Sequence, residues 1–371
     1  MATSAVKTRV IDADAHVVEC DHTWDFMDPS EAKYRPQLID MPGETKLQHW
    51  LVDGKLRGFR FPAYTQAQLE ELSRQAGRTM TTPQEANEML DVDLRLQHMD
   101  RLGVDVQVLH NTMFIEQATD NPAVEVALCK SWNRWLADIW RKGQGRLRWS
   151  CMLPLLSLPD ALEQLRFGQQ NGACAALMRP IEGNRLLIDP YFYPVFDEAS
   201  RLDLAIAVHI ANGNPWMVDF AKHPVFQAAA FHRFRVPTVA AVHDLIMSEI
   251  PVVFPKLRFA FIEASAQWLP WILNEARKRF QQLGRSGPLG RSWPDDVLRE
   301  YRIYVTCENS DDLPNILKHA GEETLVIGTD YGHTDPSSDV DAIKIFQARE
   351  DLTAEVKQKI LHDNPCRLYA I

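Results

Sequence analysis

Asp14 and His16 stand two residues apart, just after the apolar pair Val10-Ile11. More than three hundred residues later, Gly328-Thr329-Asp330-Tyr331-Gly332-His333 closes another short apolar run. Carboxylates and imidazoles are the side chains that hold a divalent cation or move a proton, and residues two apart on a strand share one face. His209 closes a fifth apolar run and Glu263 a sixth. Asp14, His16, His209, Glu263 and Asp330 are therefore a candidate set of five oxygen and nitrogen ligands for a metal ion. An Asp-x-His pair alone is commonly a cap or a satisfied surface group. The signal is the joint placement at strand ends.

Those five positions need a scaffold that brings distant strand ends together. Eight apolar runs recur along the chain, at residues 8–13, 105–110, 147–153, 173–178, 205–209, 258–263, 302–307 and 324–329. Segments of helical periodicity lie between them. Leu90, Leu94, Met99 and Leu102 mark one helical face, with Gly103 placed to cap it, and Phe192, Val195, Phe196, Ala199 and Leu202 form a stripe that leads into the 205–209 run. Strands alternating with helices imply a parallel sheet, and eight of them imply an α/β (β/α)8 TIM barrel, whose active site collects at the C-terminal ends of the strands. Residues 19–88 break the alternation. This Pro-punctuated stretch contains Leu51-Val52-Asp53-Gly54-Lys55-Leu56, a hairpin signal with Asp-Gly at the turn, and is too long for a simple βα loop. It reads as an insertion after the first strand that covers part of the pocket. A second excursion spans residues 213–235, and residues 1–371 read as one elaborated domain.

Composition narrows the function. With 46% hydrophobic and 24% charged residues the chain is an ordinary globular protein, and its net charge of -10 argues against a nucleic-acid partner, which requires a basic face. A small-molecule substrate is expected instead. The six cysteines are far apart, with no Cys-x-x-Cys pair, and read as reduced thiols. Neither a signal-peptide h-region nor an apolar stretch of membrane-spanning length is present, which points to the cytoplasm and away from a membrane. A Gly-x-Ser-x-Gly elbow and Gly-rich nucleotide loops are also absent, so serine-hydrolase and dinucleotide chemistry recede.

The series Val10-Ile11-Asp12-Ala13-Asp14-Ala15-His16-Val17-Val18-Glu19, the run from Phe254 to Glu263, Ile327-Gly328-Thr329-Asp330-Tyr331 and the terminal Asn364-Pro365-Cys366-Arg367-Leu368-Tyr369 resembles the amidohydrolase superfamily. Within it, the chain is similar to the amidohydrolase-related branch that also contains aminocarboxymuconate-semialdehyde and resorcylate decarboxylases. The resemblance implies that Asp14, His16, His209 and Asp330 are metal ligands, that Asp330 also orients and deprotonates a water, and that the chain forms a homodimer. Two positions depart from the pattern. Asp14 replaces the first histidine of the ligand pair, and Glu263, in Glu-Ala-Ser, replaces the histidine that serves the decarboxylases as proton donor.

Asp14, Glu263 and Asp330 bring three negative charges beside two neutral imidazoles, so one divalent ion leaves the set anionic and two would balance it. Zinc, iron and manganese all suit such ligands. The expected activity is that of a metal-dependent hydrolase in which activated water attacks an amide, ester, lactone or thioester of a small carboxylic or aromatic substrate, with Asp330 as general base. The alternative is a metal-dependent, non-oxidative decarboxylase of an aromatic or unsaturated acid, against which the Glu263 departure counts. A barrel that has lost catalysis and only binds is the third reading. His333 is a candidate proton shuttle, Arg179 a candidate carboxylate anchor, Glu308 a candidate substrate-orienting group, and Trp268, with Trp216 and Trp271, a candidate pocket wall. Each has a structural counterpart: a loop histidine, a salt bridge, a loop cap and core packing.

Overall fold

A computed structural model describes residues 9–40, 48–60, 65–222, 230–283 and 291–371. Thirteen strands are named here in chain order. Eight of them form one parallel sheet: β1 (Ile11–His16), β5 (Val106–His110), β6 (Leu147–Met152), β7 (Ala173–Met178), β10 (Ala205–His209), β11 (Phe259–Ile262), β12 (Ile303–Cys307) and β13 (Leu325–Ile327). These are the eight expected runs, in order around a (β/α)8 barrel. The first strand begins and ends about three residues later than its apolar run suggested, and Thr8 lies outside the described residues.

The barrel closes through backbone hydrogen bonds. The amides of Thr329 and Asp330 both donate to the Asp14 carbonyl, at 3.1 and 2.9 Å, and the His16 amide donates to the Tyr331 carbonyl at 2.9 Å. Two apolar layers separate cleanly. Ile11, Ala13, Val108, Ala175, Ala207 and Ala260 fill the lumen, where small side chains suit the narrow interior. Leu368 and Tyr369 plug it from below, and the Tyr369 hydroxyl donates to the Ala13 carbonyl at 3.0 Å. Larger residues such as Trp132, Trp149, Phe196 and Phe261 pack between strands and helices.

Helix ends follow local chemistry. Asp91 accepts from the Leu94 amide to start the helix Val92–Leu102, and Gly103 ends it in the left-handed conformation. Asn121 caps the long helix Pro122–Lys142, which has proline in its first turn and Arg141 and Lys142 in its last.

The insertion carries β2 (Gln37–Asp40), β3 (Gln48–Val52) and β4 (Lys55–Arg60), paired antiparallel as a separate small sheet. Asp53 and Gly54 both have positive φ, 50° and 72°, the backbone of a two-residue type I′ turn. The short β8 (Ile181–Glu182) and β9 (Arg185–Leu186) form a ribbon above β7. Among the described residues no helix is long and apolar enough to cross a membrane, and none of the six cysteines is disulfide-bonded.

Gly328 sits at the seam, where a Cβ would overlap the Asp14 Cβ and meet its backbone nitrogen at 2.7 Å. Gly328→Ala is expected to destabilise the fold by about 1–3 kcal/mol, the usual cost of overpacking. Urea unfolding checks this, and an unchanged midpoint would show that the seam yields freely.

Candidate active site

The inward face of β1 holds both the lumen filling and the first two candidate ligands, which strict alternation forbids. Ile11 and Ala13 point into the lumen, as do Asp14 and His16, while Ala15 belongs to the outer layer. A register shift between Asp12 and Ala15 resolves this, because a bulge flips the parity partway along the strand. His209 continues the inward series Ala205-Ala207 of β10. Glu263 and Asp330 lie just beyond β11 and β13, and both have left-handed backbones with φ of 62° and 49°.

These side chains converge. His16 Nε2 lies 3.4 Å from Asp14 Oδ1, 3.6 Å from Glu263 Oε2, 3.4 Å from Asp330 Oδ1 and 3.1 Å from His209 Nε2. His209 Nε2 is 3.2 Å from Glu263 Oε2 and 3.6 Å from Asp14 Oδ1. The Nδ1–H of His16 donates to the Asn111 carbonyl at 2.7 Å, and Nδ1 of His209 faces the Ile210 carbonyl at 3.3 Å. Each histidine therefore turns an unprotonated Nε2 toward the centre, the usual orientation of a metal-ligating imidazole.

All of these groups are buried, and Asp14 Oδ1, Glu263 Oε2 and Asp330 Oδ2 have no hydrogen-bond partner. Burial and neighbouring carboxylates, chiefly Asp335 and Asp14 for Glu263 and Glu263 itself for Asp330, push both groups well above the usual carboxylate range. Burial also pushes His16, His110 and His333 down to about 3, so they are neutral at pH 7. Unpartnered buried carboxylates facing neutral imidazoles are costly unless a cation joins them. Bonds of about 2.0–2.2 Å to one ion place neighbouring ligands about 2.8–3.6 Å apart, which the observed spacings match. Two overlapping groups, Asp14, His16, His209 and Glu263 on one side and His16, Glu263, Asp330 and His333 on the other, thus could each hold a divalent ion.

His333 completes the cluster. Its Nδ1 lies 2.7 Å from Asp330 Oδ1, its Nε2 lies 2.9 Å from the Thr112 hydroxyl, and its ring stacks on His16 at 3.8 Å. A proton can rest on either Asp330 Oδ1 or His333 Nδ1 at that separation.

Residues 11–371 match the sequence model of the amidohydrolase family. The chain belongs to that family. This amidohydrolase is 21% identical over 266 residues to the 2-amino-3-carboxymuconate-6-semialdehyde decarboxylase of Dictyostelium discoideum, spanning 69% of this chain and 72% of the relative. Its fold is similar to that of an amidohydrolase from Mycobacterium avium subsp. paratuberculosis, with a TM-score of 0.74 at 18% identity over 99% of each chain. It is also similar to the 5-carboxyvanillate decarboxylase of Novosphingobium aromaticivorans in complex with manganese and 4-hydroxy-3-methoxy-5-nitrobenzoic acid, with a TM-score of 0.66 at 16% identity over 98% of this chain and 97% of that one. With the buried ligand set on this scaffold, the amidohydrolase is a metal-dependent enzyme.

The structure brings Asp14, His16, His209, Glu263, Asp330 and His333 together, and the other three candidates have partners of their own. Arg179 is spent on Glu182, with Nε at 2.8 Å and Nη2 also paired, and on the Phe114 and Glu116 carbonyls. The Trp268 indole donates to the Ala264 carbonyl at 2.9 Å and packs on the core. Glu308 lies 3.6 Å from Arg235 and accepts from Ser310. Trp216 and Trp271 are 70% and 61% exposed, so neither is buried in a wall.

Three contributors escape a reading by strand ends alone. His110 shares the inward parity of Val106 and Val108, a signal present in the sequence, and holds Ser150 Oγ at 2.9 Å beside the cluster. Thr112 follows β5 in a loop shaped by Glu19, whose carboxylate accepts from the Thr112 and Met113 amides and the Trp132 indole. Arg233 lies on a π-helical turn, Phe231–Arg235, with no local pattern to mark it.

The pKa directions fix how metal loading depends on pH. Glu263 and Asp330 bind protons in the apo-protein that a cation must displace, whereas His16 is already neutral, so affinity rises with pH through the neutral range. The same raised values make these carboxylates a stabilising term of the apo-fold at low pH that is lost as pH rises. Calorimetry of Zn2+ binding in buffers of different ionisation enthalpy should show proton release that is smaller in Glu263→Gln. Equal release in that variant would place the proton elsewhere.

Proposed function

We propose that the chain is a metal-dependent lyase that removes CO2, without oxidation, from a small aromatic or unsaturated carboxylic acid. The observation that carries the reading is a cavity of about 430 Å3 whose lining includes Thr112, the partner of His333, together with Arg57 and the ion pairs Lys222–Asp219 and Arg233–Glu116. With those two cations already paired, Arg57 is the group offered to a substrate carboxylate beside the Asp330–His333 pair, which suits an anionic substrate that must be protonated at carbon. Arg57 and His49 come from the β3–β4 hairpin, so the insertion of residues 19–88 works as a cover within one domain.

A bound divalent ion, zinc or manganese, supplies a Lewis acid that holds and polarises substrate oxygens. Within each of the two possible ligand groups the donors lie within 4.8 Å of one another, and the groups share His16 and Glu263, so the set suits one ion or two. Arg57 grips the substrate's anionic group. As the carbon–carboxylate bond breaks, its electron pair stays on the ring or chain carbon, which takes a proton from the Asp330–His333 dyad. Glu263 replaces the histidine donor of the decarboxylase pattern, yet this dyad fills the same role from β13. Relatives with named reactions include decarboxylases, and one protein of similar fold is a 4-oxalomesaconate hydratase. Asp330 Oδ2, which has no hydrogen-bond partner, also suits deprotonation of a water, which is the observation favouring hydrolysis as the second reading.

Incubation of the Zn2+- or Mn2+-loaded enzyme with hydroxybenzoic acids and unsaturated diacids in D2O should release CO2 and place one deuterium on the vacated carbon. Asp330→Asn should abolish both while the circular dichroism spectrum is retained. Incorporation of 18O from water into a product carboxylate without CO2 would replace the lyase by a hydrolase. Arg57→Ala should raise KM about tenfold or more with a much smaller change in kcat, the loss of one charge-assisted bond to an anion.

A further inference from the structure

Asp12 lies on the opposite side of the β1 bulge from the metal ligands, fully buried between the barrel and the helix Val92–Leu102. Its carboxylate accepts four hydrogen bonds. Oδ1 takes the Thr329 amide at 2.9 Å and the Asp14 amide at 3.3 Å, and Oδ2 takes the Thr329 hydroxyl at 2.6 Å and Gln107 Nε2 at 2.9 Å. Gln107 passes the chain on, since its Oε1 accepts from Arg95 Nε at 2.7 Å. The buried Arg95 guanidinium then donates to the His16 carbonyl at 3.2 Å and to the Ala86 carbonyl at 3.3 Å, and it stacks on the Tyr331 ring at 3.6 Å. Tyr331 is further held through its hydroxyl, 2.6 Å from His98 Nδ1.

The ends of this chain are not arbitrary. It grips the amide of Asp14, the carbonyl of His16 and the two neighbours of Asp330, residues 329 and 331. Asp330 itself has a left-handed backbone, a conformation that costs an ordinary residue about 1 kcal/mol or more and persists only where its surroundings over-determine it. We propose that Asp12, through Gln107 and Arg95, is a positioning residue that sets the relative placement of Asp14, His16 and Asp330 around the metal. The inference concerns metal geometry and is independent of the reaction catalysed.

Hydrogen-bond polarity provides the test. In Asp12→Asn an amide N–H2 faces the N–H2 of Gln107, and Gln107 cannot turn around because its oxygen holds Arg95. Adding Gln107→Glu restores the alternation, since the new carboxylate accepts both from the side-chain amide at position 12 and from Arg95, and returns the lost negative charge one link along. Zn2+ affinity by chelator competition and the visible absorption of the Co2+-loaded protein read the ligand geometry without turnover.

Asp12→Asn should weaken Zn2+ about tenfold or more and alter the Co2+ bands, and the double variant should recover affinity to within about threefold together with the original bands. Wild-type affinity and spectrum in Asp12→Asn would overturn the proposal. So would a double variant that regains the thermal midpoint but still binds weakly, because the chain would then only stabilise the fold. If Asp12→Asn does not fold, the double variant decides by the same criterion. If neither folds, Thr329→Val, which deletes only the hydroxyl contact, decides: weaker Zn2+ binding with altered bands supports the assignment, and unchanged binding overturns it.

Discussion

The hydrogen bonds that close the barrel between β1 and β13 are also those that bring the first and last ligands together. The Asp14 carbonyl receives the amides of Thr329 and Asp330, so the side chain of Asp14 and that of Asp330 depend on one joint. Gly328 allows the strands to approach that closely, and the bulge in β1 lets Asp14 and His16 turn inward after a normal lumen-facing stretch. Catalytic geometry and barrel closure are therefore one problem here, solved at one seam.

Around that joint the structure buries three carboxylates, and among the described residues no lysine or arginine pairs with any of them. Arginines are plentiful nearby, but each is directed elsewhere: Arg95 to backbone carbonyls and Gln107, Arg179 to Glu182, Arg233 to Glu116. The positive charge that balances the centre must come from a mobile cation, whose affinity draws on the same repulsion that burdens the empty site. Outward of it, the cavity that adjoins Thr112 carries Arg57 beside the ion pairs Lys222–Asp219 and Arg233–Glu116.

Much of this was legible in the chain because parallel barrel strands are short, apolar and separated by helices. The eight runs located eight strands, and the residues ending four of them form the candidate ligand set. The bulge at Asp12 to Ala15 was not legible: its effect is a change of parity that needs the partner strand to be seen. Arg179 illustrates the opposite failure. Its place after β7 is right for an anchor, but Glu182 three residues on claims the guanidinium, a pairing that depends on how the β8–β9 ribbon folds back. Glu19 and Thr112 act through loop backbone, for which side-chain periodicity carries no signal.

Tyr369, whose hydroxyl bonds to Ala13, lies 356 residues along the chain from its partner. At a synthesis rate of about 5–20 residues per second, β1 waits roughly 20–70 s on the ribosome before the residue that plugs the lumen beneath it is made. For most of that interval its β13-facing edge has no partner, and Asp14 and His16 lack Asp330. Until β13 has been made, the nascent chain is thus an open sheet that carries only part of the candidate metal site.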